Sequence, residues 1–575
     1  MRNLLLLTLF ATMSTPVFAL QYVVTRTDDP DPSANCFQLG GCGLSLRQAV
    51  LAANKRSGPD LIVLSRKVYE LTRTTSAATL DGKSGPLLVT DTLEVVGDSA
   101  ARTRIRWSVA SHQAAQHRHQ VWYANTEGGS LALEKLTVSH GRGSAGGCIY
   151  RAGAGYLALQ DTVVESCNGQ SGGAIFQRGL SVGAYTLSLK NTELRSNQAE
   201  FNGGAIYLSQ SATIIADGAR LIDNTAYGDG GAFFGATMVT NVLSYPINIV
   251  WRSEGAGTLF AGNSAGDNGG AIAFTTPGFA NIYAVTGSPL MRFENNVAGG
   301  GGGAVSAVRG SFAGGLPPGG TRLTLERASM ELNAAAKGGA VALLGTGALI
   351  VKSYFKSNSA QAGNGGAVFA DYSAAAPNEA VDVEIRQSSF NQNGASSFGG
   401  ALANECQRFN VRDSAFYANS ATQGEVISAT GGTFMAHVST NGHGAIEGDG
   451  PAAIHKRYHT MCGSQSFALA NSIVSGVDRC VSQFGAITSV GGNSYGQYGS
   501  SCGLLGVLDQ SGNSGAYHLM LGAFGGEFDV LGWNNDGQVR PQINFGQSAY
   551  CSATDIRGLP RSDGACDAGA FEQQP

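Results

Sequence analysis

Along most of the chain, apolar and polar residues alternate in short runs, and no 3.6-residue period competes with them. Runs of this kind span Ser130 to Val138, Tyr156 to Val164, Thr186 to Leu194, Thr321 to Leu325, Ala348 to Val351 and Val381 to Ile385. Period-two alternation puts successive side chains on opposite faces, so each run predicts a short strand with one buried face.

The strands are tied to two recurring tetrapeptides. Gly172-Gly173-Ala174-Ile175 recurs at Gly203-Gly204-Ala205-Ile206, Gly230-Gly231-Ala232-Phe233, Gly269-Gly270-Ala271-Ile272, Gly302-Gly303-Ala304-Val305, Gly338-Gly339-Ala340-Val341, Gly365-Gly366-Ala367-Val368 and Gly399-Gly400-Ala401-Leu402, with Gly146-Gly147-Cys148-Ile149 as a variant. Upstream of most copies an apolar residue stands three positions before an Asn: Leu194/Asn197, Leu221/Asn224, Phe260/Asn263, Phe293/Asn296, Phe355/Asn358, Phe390/Asn393 and Phe416/Asn419. The period drifts between roughly 26 and 39 residues, as in a solenoid whose coils carry insertions.

Glycine suits a corner that needs positive φ or the close approach of stacked backbones. Asn tolerates the left-handed conformation, and stacked amides can hydrogen-bond from coil to coil. The Phe points inward and stacks on its neighbours. These features predict an all-β fold, a right-handed parallel β-helix of about 15 rungs and some 70 Å, with a cap at each end.

At the N-terminus Arg2, the apolar run Leu4 to Phe10 and Val17-Phe18-Ala19 predict a cleaved leader, residues 1–19, and hence an exported protein that is extracellular, surface-associated or periplasmic. No later segment is apolar enough for a membrane-spanning helix. The remaining chain divides into an N-terminal cap over 20–85, repeats over 86–460, and C-terminal rungs with a disulfide-containing cap over 461–575. Leu46 to Asn54 has helical spacing and could lie as a lid over the first coil, stapled by a Cys36–Cys42 loop.

Composition narrows the class further. With 82 Gly but 15 Pro in 575 residues the chain is not collagen, and 43% hydrophobic residues exclude disorder. A net charge of -4 gives no reason to expect nucleic acid as a partner. The even count of ten cysteines predicts disulfides: Cys36 with Cys42, Cys148 with Cys167, Cys480 with Cys502 and Cys551 with Cys566, which leaves Cys406 and Cys462 to pair across rungs. Zinc spacing is absent, so no metal site is expected.

The paired tetrapeptides over roughly 146 to 420 resemble the repeats of the chlamydial polymorphic outer-membrane proteins, which are adhesins. Cys42-Gly43-Leu44-Ser45-Leu46-Arg47-Gln48-Ala49-Val50, with Ala53-Asn54 and Asp60-Leu61-Ile62, is similar to the CSLREA-type segment that opens many bacterial β-helix proteins. Asn471-Ser472-Ile473-Val474, Asp555-Ile556-Arg557-Gly558 and Cys566-Asp567-Ala568-Gly569-Ala570-Phe571-Glu572 resemble the choice-of-anchor Q domain. These resemblances imply architecture first, and an adhesion or binding scaffold for a carbohydrate or protein at a cell surface.

An enzyme of the pectate-lyase-like class is the alternative, and it needs facing carboxylates or a cation-assisted base. Asp223, Asp229 and Asp267 recur beside turns and could align on adjacent rungs, where Asp and Asn oxygens could hold calcium; otherwise no cofactor is expected. Asp and Asn equally favour turns for their own sake. His112, His117 and His119, and His437, His443, His455 and His459, lack a zinc-hydrolase spacing and read as loop histidines in solution. Asp555, Arg557, Arg561 and Asp567 predict a structural ion-pair cluster that closes the last rung. Insertions at Gly235 to Glu254, Thr275 to Pro289, Ser306 to Gly320 and Ala370 to Glu379 carry Phe279, Tyr283, Phe312 and Tyr372, which could contact a ligand or anchor their loops. No catalytic set is marked.

Overall fold

The computed structural model describes residues 20–32, 43–75, 80–108, 119–125, 130–153, 155–178, 185–209, 212–236, 247–275, 278–309, 322–372, 381–441, 452–460, 462, 465–474, 480–495, 499–502, 509–511, 519–522, 530–533, 546–561 and 566–572. The expected leader, Cys36, Cys42, His112, His117, His443 and Phe312 lie outside these residues.

One coil illustrates the rest. Ile175–Arg178 runs into Tyr185–Lys190, turns at Asn191, continues as Glu193–Arg195, turns again at Ser196, adds the two residues Gln198–Ala199 and reaches the next glycine pair at Gly203. Stacking such coils in parallel register yields a right-handed parallel β-helix. Among the described residues its sheets have 28, 14 and 9 strands, the largest receiving two strands per coil. Fourteen strands at about 4.8 Å give a stack of about 60 Å.

The two glycines of the repeat have separate duties. Gly203 sits at φ +69°, and a Cβ there would fall 2.3 Å from the Ile206 carbonyl oxygen. At Gly204 a Cβ would fall 1.9 Å from the carbonyl oxygen of Gly231, one rung on. The first glycine therefore makes the corner, and the second lets adjacent coils approach.

Each Asn of the second tetrapeptide is buried and donates from Nδ2 to the Oδ1 of the next, at 2.9–3.0 Å, from Asn197 through Asn224, Asn263, Asn296, Asn333, Asn358 and Asn393 to Asn419. Its other Nδ2 hydrogen reaches a carbonyl one rung back, as from Asn296 to Phe260. At about 0.5–1.5 kcal/mol net per bond, this line contributes to every rung interface it crosses. The left-handed residue is not the Asn but the one before it, from Ser196 to Ala418 at φ 49–63°. That turn aims the amide into the coil. Beside it Phe260 stacks on Phe293 at 4.8 Å, and Phe355, Phe390 and Phe416 continue the column, with Met330 filling the intervening rung.

Four disulfides join Cys148–Cys167, Cys406–Cys462, Cys480–Cys502 and Cys551–Cys566. Cys167 occupies an Asn position, and its N–H donates to Asn197 Oδ1 at 3.1 Å, so the bridge stands where the amide line begins.

At the N-terminal end the helix Leu46–Ala53 is capped by Ser45 and Gln48 and buries Leu46, Ala49, Val50 and Ala53. Asn54 serves the edge of the 14-stranded sheet directly, donating to Leu88 O and accepting from Thr90 N. Arg47 is buried in a two-pronged ion pair with Asp29 at 2.6 and 2.9 Å.

Two expectations need correction. Residues Ile247–Ala261 and Gly278–Ala284 are strands of the largest sheet, so Phe279 and Tyr283 stand on its outer side instead of on loops. The C-terminal ion pairs do not close the last rung. Residues 546–561 and 566–572 fold back along one corner of the solenoid as a strap: Gln387 donates to Asp555 O, Arg561 pairs with Asp413, His437 lies 3.0 Å from Tyr550 O, and Gly569 N donates to Asn471 O. Those four residues are the left-handed corners of four successive coils. Arg557–Asp555 and Arg561–Glu572, both buried at 2.6 Å, hold the strap together, whereas Asp567 meets Arg561 through its backbone oxygen.

Candidate functional site

The inner residues of the coils are committed to stacking, so chemistry must stand on outward positions. In the 14-stranded sheet the residue after each Gly-Gly-Ala-apolar unit faces outward, and the registers align Tyr123, Tyr150, Phe176, Tyr207 and Phe234. The rings from Tyr123 to Tyr207 stack at 4.5–5.8 Å and Phe234 lies tilted against Tyr207 at 5.2 Å, which occupies the ring faces along the stack. This aromatic line is cross-strand packing.

Farther along, the same face changes character. Phe369, Ala403, Ser428 and His455 continue the line, and two residues beyond the first two stand Asp371 and Glu405, partners in register on neighbouring strands. Glu405 is 9% exposed, forms an ion pair with Arg457, and accepts from Asn364 at 3.0 Å and from Thr430 at 3.2 Å. Arg457 lies 4.4 Å over the Phe398 ring and donates to Ser428 Oγ at 2.8 Å. Asp371 Oδ1 is buried without a hydrogen-bond partner. Burial raises the Asp371 carboxyl above the usual carboxylate range and nearby Glu405 raises it further, against a backbone hydrogen bond at Tyr372 and the pull of Lys337 and His459. Cys406–Cys462 ties this coil to the His459 segment, where the imidazole lies 3.5 Å from Cys406 Sγ and edge-on to Tyr372.

Around the glycine corner, on the 9-stranded sheet, lies a groove of about 180 Å³ lined by Arg142, Asn168, Gln170, Gln198, Glu200 and Tyr227 among others. Gln198 donates to the Tyr227 hydroxyl at 2.9 Å, and the Tyr227 ring is 64% exposed. Neighbouring Phe201 is 58% exposed. The groove thus offers a guanidinium, carboxamides, a carboxylate and an open aromatic face across four successive rungs.

The turn aspartates do not assemble. Asp223 occupies the left-handed corner before Asn224, while Asp229 Oδ1 accepts from both the backbone and the side chain of Asn268 at 3.0 Å. Burial raises the Asp229 carboxyl, with the Asn268 bonds opposing and Asp267 adding to it. Its place is a second amide line from Asn202 through Asn268 to Gly301.

Three of the predicted loop histidines are not in solution: His437 is fully buried at the strap corner, His455 is buried on the sheet, and His119 sits against Trp107 and accepts from Thr75 N. His437 and His459 each approach two cysteine sulfurs, but those sulfurs are joined as Cys551–Cys566 and Cys406–Cys462 and offer no thiolate.

Sequence reasoning missed Asp371 and Glu405. Their signal is positional: both stand six residues after the first Gly of their repeats, Gly365 and Gly399, whereas the same offset from Gly203 to Gly338 gives Ser209, Ala236, Thr275, Val308 and Leu344.

Residues 291–308, one Phe/Asn corner and one Gly-Gly-Ala strand, match the Chlamydia polymorphic membrane protein repeat. No curated protein matches the chain. Among solved structures the chain is similar to the catalytic domain of a GH87 alpha-1,3-glucanase in complex with tetrasaccharides, at 12% identity over 82% of this chain and 69% of that one, with a TM-score of 0.38. It is also similar to the catalytic unit of a thermostable GH87 alpha-1,3-glucanase from Streptomyces thermodiastaticus strain HF3-3, at 12% identity over 78% and 66%, with a TM-score of 0.32. The disulfides and the repeat match are features of an extracellular or envelope protein. No helix among the described residues is long and apolar enough to cross a membrane.

Proposed function

We propose that this chain is an exported, surface-associated or secreted binding scaffold that recognises a glycan in the groove between Arg142 and Tyr227. The observation that carries the reading is the composition of that groove, where an open aromatic face stands beside amide, guanidinium and carboxylate groups. Saccharides present both C–H faces, which pack on aromatic rings, and hydroxyls, which need fixed donors and acceptors. The outward aromatic line is a poorer candidate because its ring faces are already occupied. The match of residues 291–308 to the Chlamydia polymorphic membrane protein repeat supports an envelope or extracellular setting for such a scaffold.

The test is retention of the purified protein on immobilised neutral and acidic polysaccharides. Tyr227→Ala is expected to weaken binding about tenfold, roughly 1.4 kcal/mol, with the unfolding midpoint unchanged. Binding that is indifferent to Tyr227→Ala and Gln198→Ala would overturn the reading.

A further inference from the structure

Asp371 and Glu405 are adjacent carboxyl groups that the scaffold does not need for stacking. They end neighbouring strands, Val368–Asp371 and Leu402–Glu405, in direct register and on the outward side, since Val368, Ala370 and Leu402 belong to the inner core while Phe369 and Ala403 do not. Like charges side by side on a sheet are ordinarily unfavourable. Here the surroundings treat the two differently. Glu405 is fixed by Arg457, Asn364 and Thr430, and Arg457 is itself fixed by Phe398 and Ser428. The Asp371 carboxyl is half-buried: it takes a backbone hydrogen bond from Tyr372, while its Oδ1 is buried with no hydrogen-bond partner.

We propose that Asp371 and Glu405 are the proton donor and the nucleophile of a glycoside-hydrolysing site on the outer face of the 14-stranded sheet. The proposal rests on the reading that the ligand is a glycan. Asp371 lies four rungs, about 20 Å, from Phe233–Ala236, the strand that follows Tyr227, a span that a polysaccharide can bridge.

In the first step a Glu405 oxygen bonds to the anomeric carbon while the bond to the bridging oxygen breaks, and Asp371 gives its proton to that departing oxygen. In the second step water attacks the same carbon, Asp371 recovers a proton from the water, and the ester to Glu405 breaks. One water is consumed per bond cleaved, and both carboxyl groups return to their starting states. The raised affinity of Asp371 for its proton suits the donor. Two displacements retain the anomeric configuration, and a carboxyl separation of about 5 Å, which this mechanism requires, matches the spacing of neighbouring strands.

The full chain is incubated with the polysaccharides it retains and with the remainder of the panel, and new reducing ends and product anomers are followed by proton NMR. Cleavage with retention is expected. Asp371→Asn and Glu405→Gln should each lower turnover by roughly 10²- to 10⁴-fold while binding persists. Because Glu405→Gln disturbs the Arg457 pair, Glu405→Gly with added azide provides a second readout: restored cleavage giving a glycosyl azide of inverted configuration marks the nucleophile. Retention on a polysaccharide without any new reducing ends overturns the catalytic assignment and leaves the groove standing. Cleavage unaffected by either substitution, or with inversion, also overturns it. Cleavage indifferent to Tyr227→Ala removes the groove alone, and neither binding nor cleavage removes both.

Discussion

The two halves of the outer face of the 14-stranded sheet share one backbone plan and differ in what they do with it. In the N-terminal half Tyr123, Tyr150, Phe176, Tyr207 and Phe234 use each other's rings, so the side chains satisfy themselves. In the C-terminal half Asp371 and Glu405 occupy outward positions at the ends of strands, Arg457 follows the strand Ile454–Lys456, and Asp371 Oδ1 is left unsatisfied. Regularity in a solenoid therefore indicates structure, and a break in the outward pattern indicates where to look for chemistry.

If the halves differ only in side chains, the glycine requirement must be equal in both. Gly204→Ala and Gly366→Ala would each place a methyl about 2 Å from the carbonyl oxygen of the next coil, at Gly231 and Gly400. Both should cost upwards of about 4 kcal/mol, read as loss of folded protein in denaturant titration. Tolerance of one substitution alone would mean that the scaffolds themselves differ.

A smaller effect separates the two kinds of outward residue. Phe176→Ala and Glu405→Ala should each destabilise by about 3 kcal/mol, the first by opening a cavity in the aromatic line and the second by stranding Arg457. Adding Arg457→Met should recover much of the Glu405→Ala loss and none of the Phe176→Ala loss. An additive double-mutant cycle with Glu405 would show that the pair is not coupled.

The strap corner gives the finest test, through pH. Burial pushes His437 down to about 3, so its contribution to stability is complete above the ordinary histidine value near 6.5 and is lost as pH falls toward 3. Burial pushes Asp413 up to about 6 against the pull of Arg561, so its contribution is complete below the ordinary aspartate value near 4 and is lost as pH rises through 6. The two slopes oppose each other between about pH 4 and 6, and below that His437 acts alone. Thermal unfolding should show His437→Gln gaining on the parent protein as pH falls from about 6.5 toward 3, because Asp413 is common to both. Parallel pH profiles for the two would refute this account.

The β-helix was legible because stacking constrains residues close to the backbone in every coil: glycines at the corner, an amide inside it, a Phe beside it. Met330 and Asn333 keep the geometry of their rung and fit the apolar-x-x-Asn rule, although sequence reasoning missed the pair. Coils at Ile427–Ala429, Ile454–Lys456 and Cys480–Ser482 continue the sheet where the glycine pair has gone, Glu425 standing in the second position. The carboxyl pair was hidden for a different reason. Asp371 and Glu405 are separated in sequence by a whole coil, and their adjacency exists only once the register is known. The strap had no periodicity to betray it, since its contacts are made across the coils instead of along them.

That strap imposes an order on assembly. Each coil can settle on its predecessor as soon as it is free to fold, because its partners already exist. The clasp over Gln387, Asp413, His437 and Asn471 is made by residues synthesised after all four, and its Cys551–Cys566 bond can close only then. Until that moment this stretch of the stack is an unlatched ribbon, able to unwind coil by coil; arrival of the final residues converts it into a closed body whose four corners must open together.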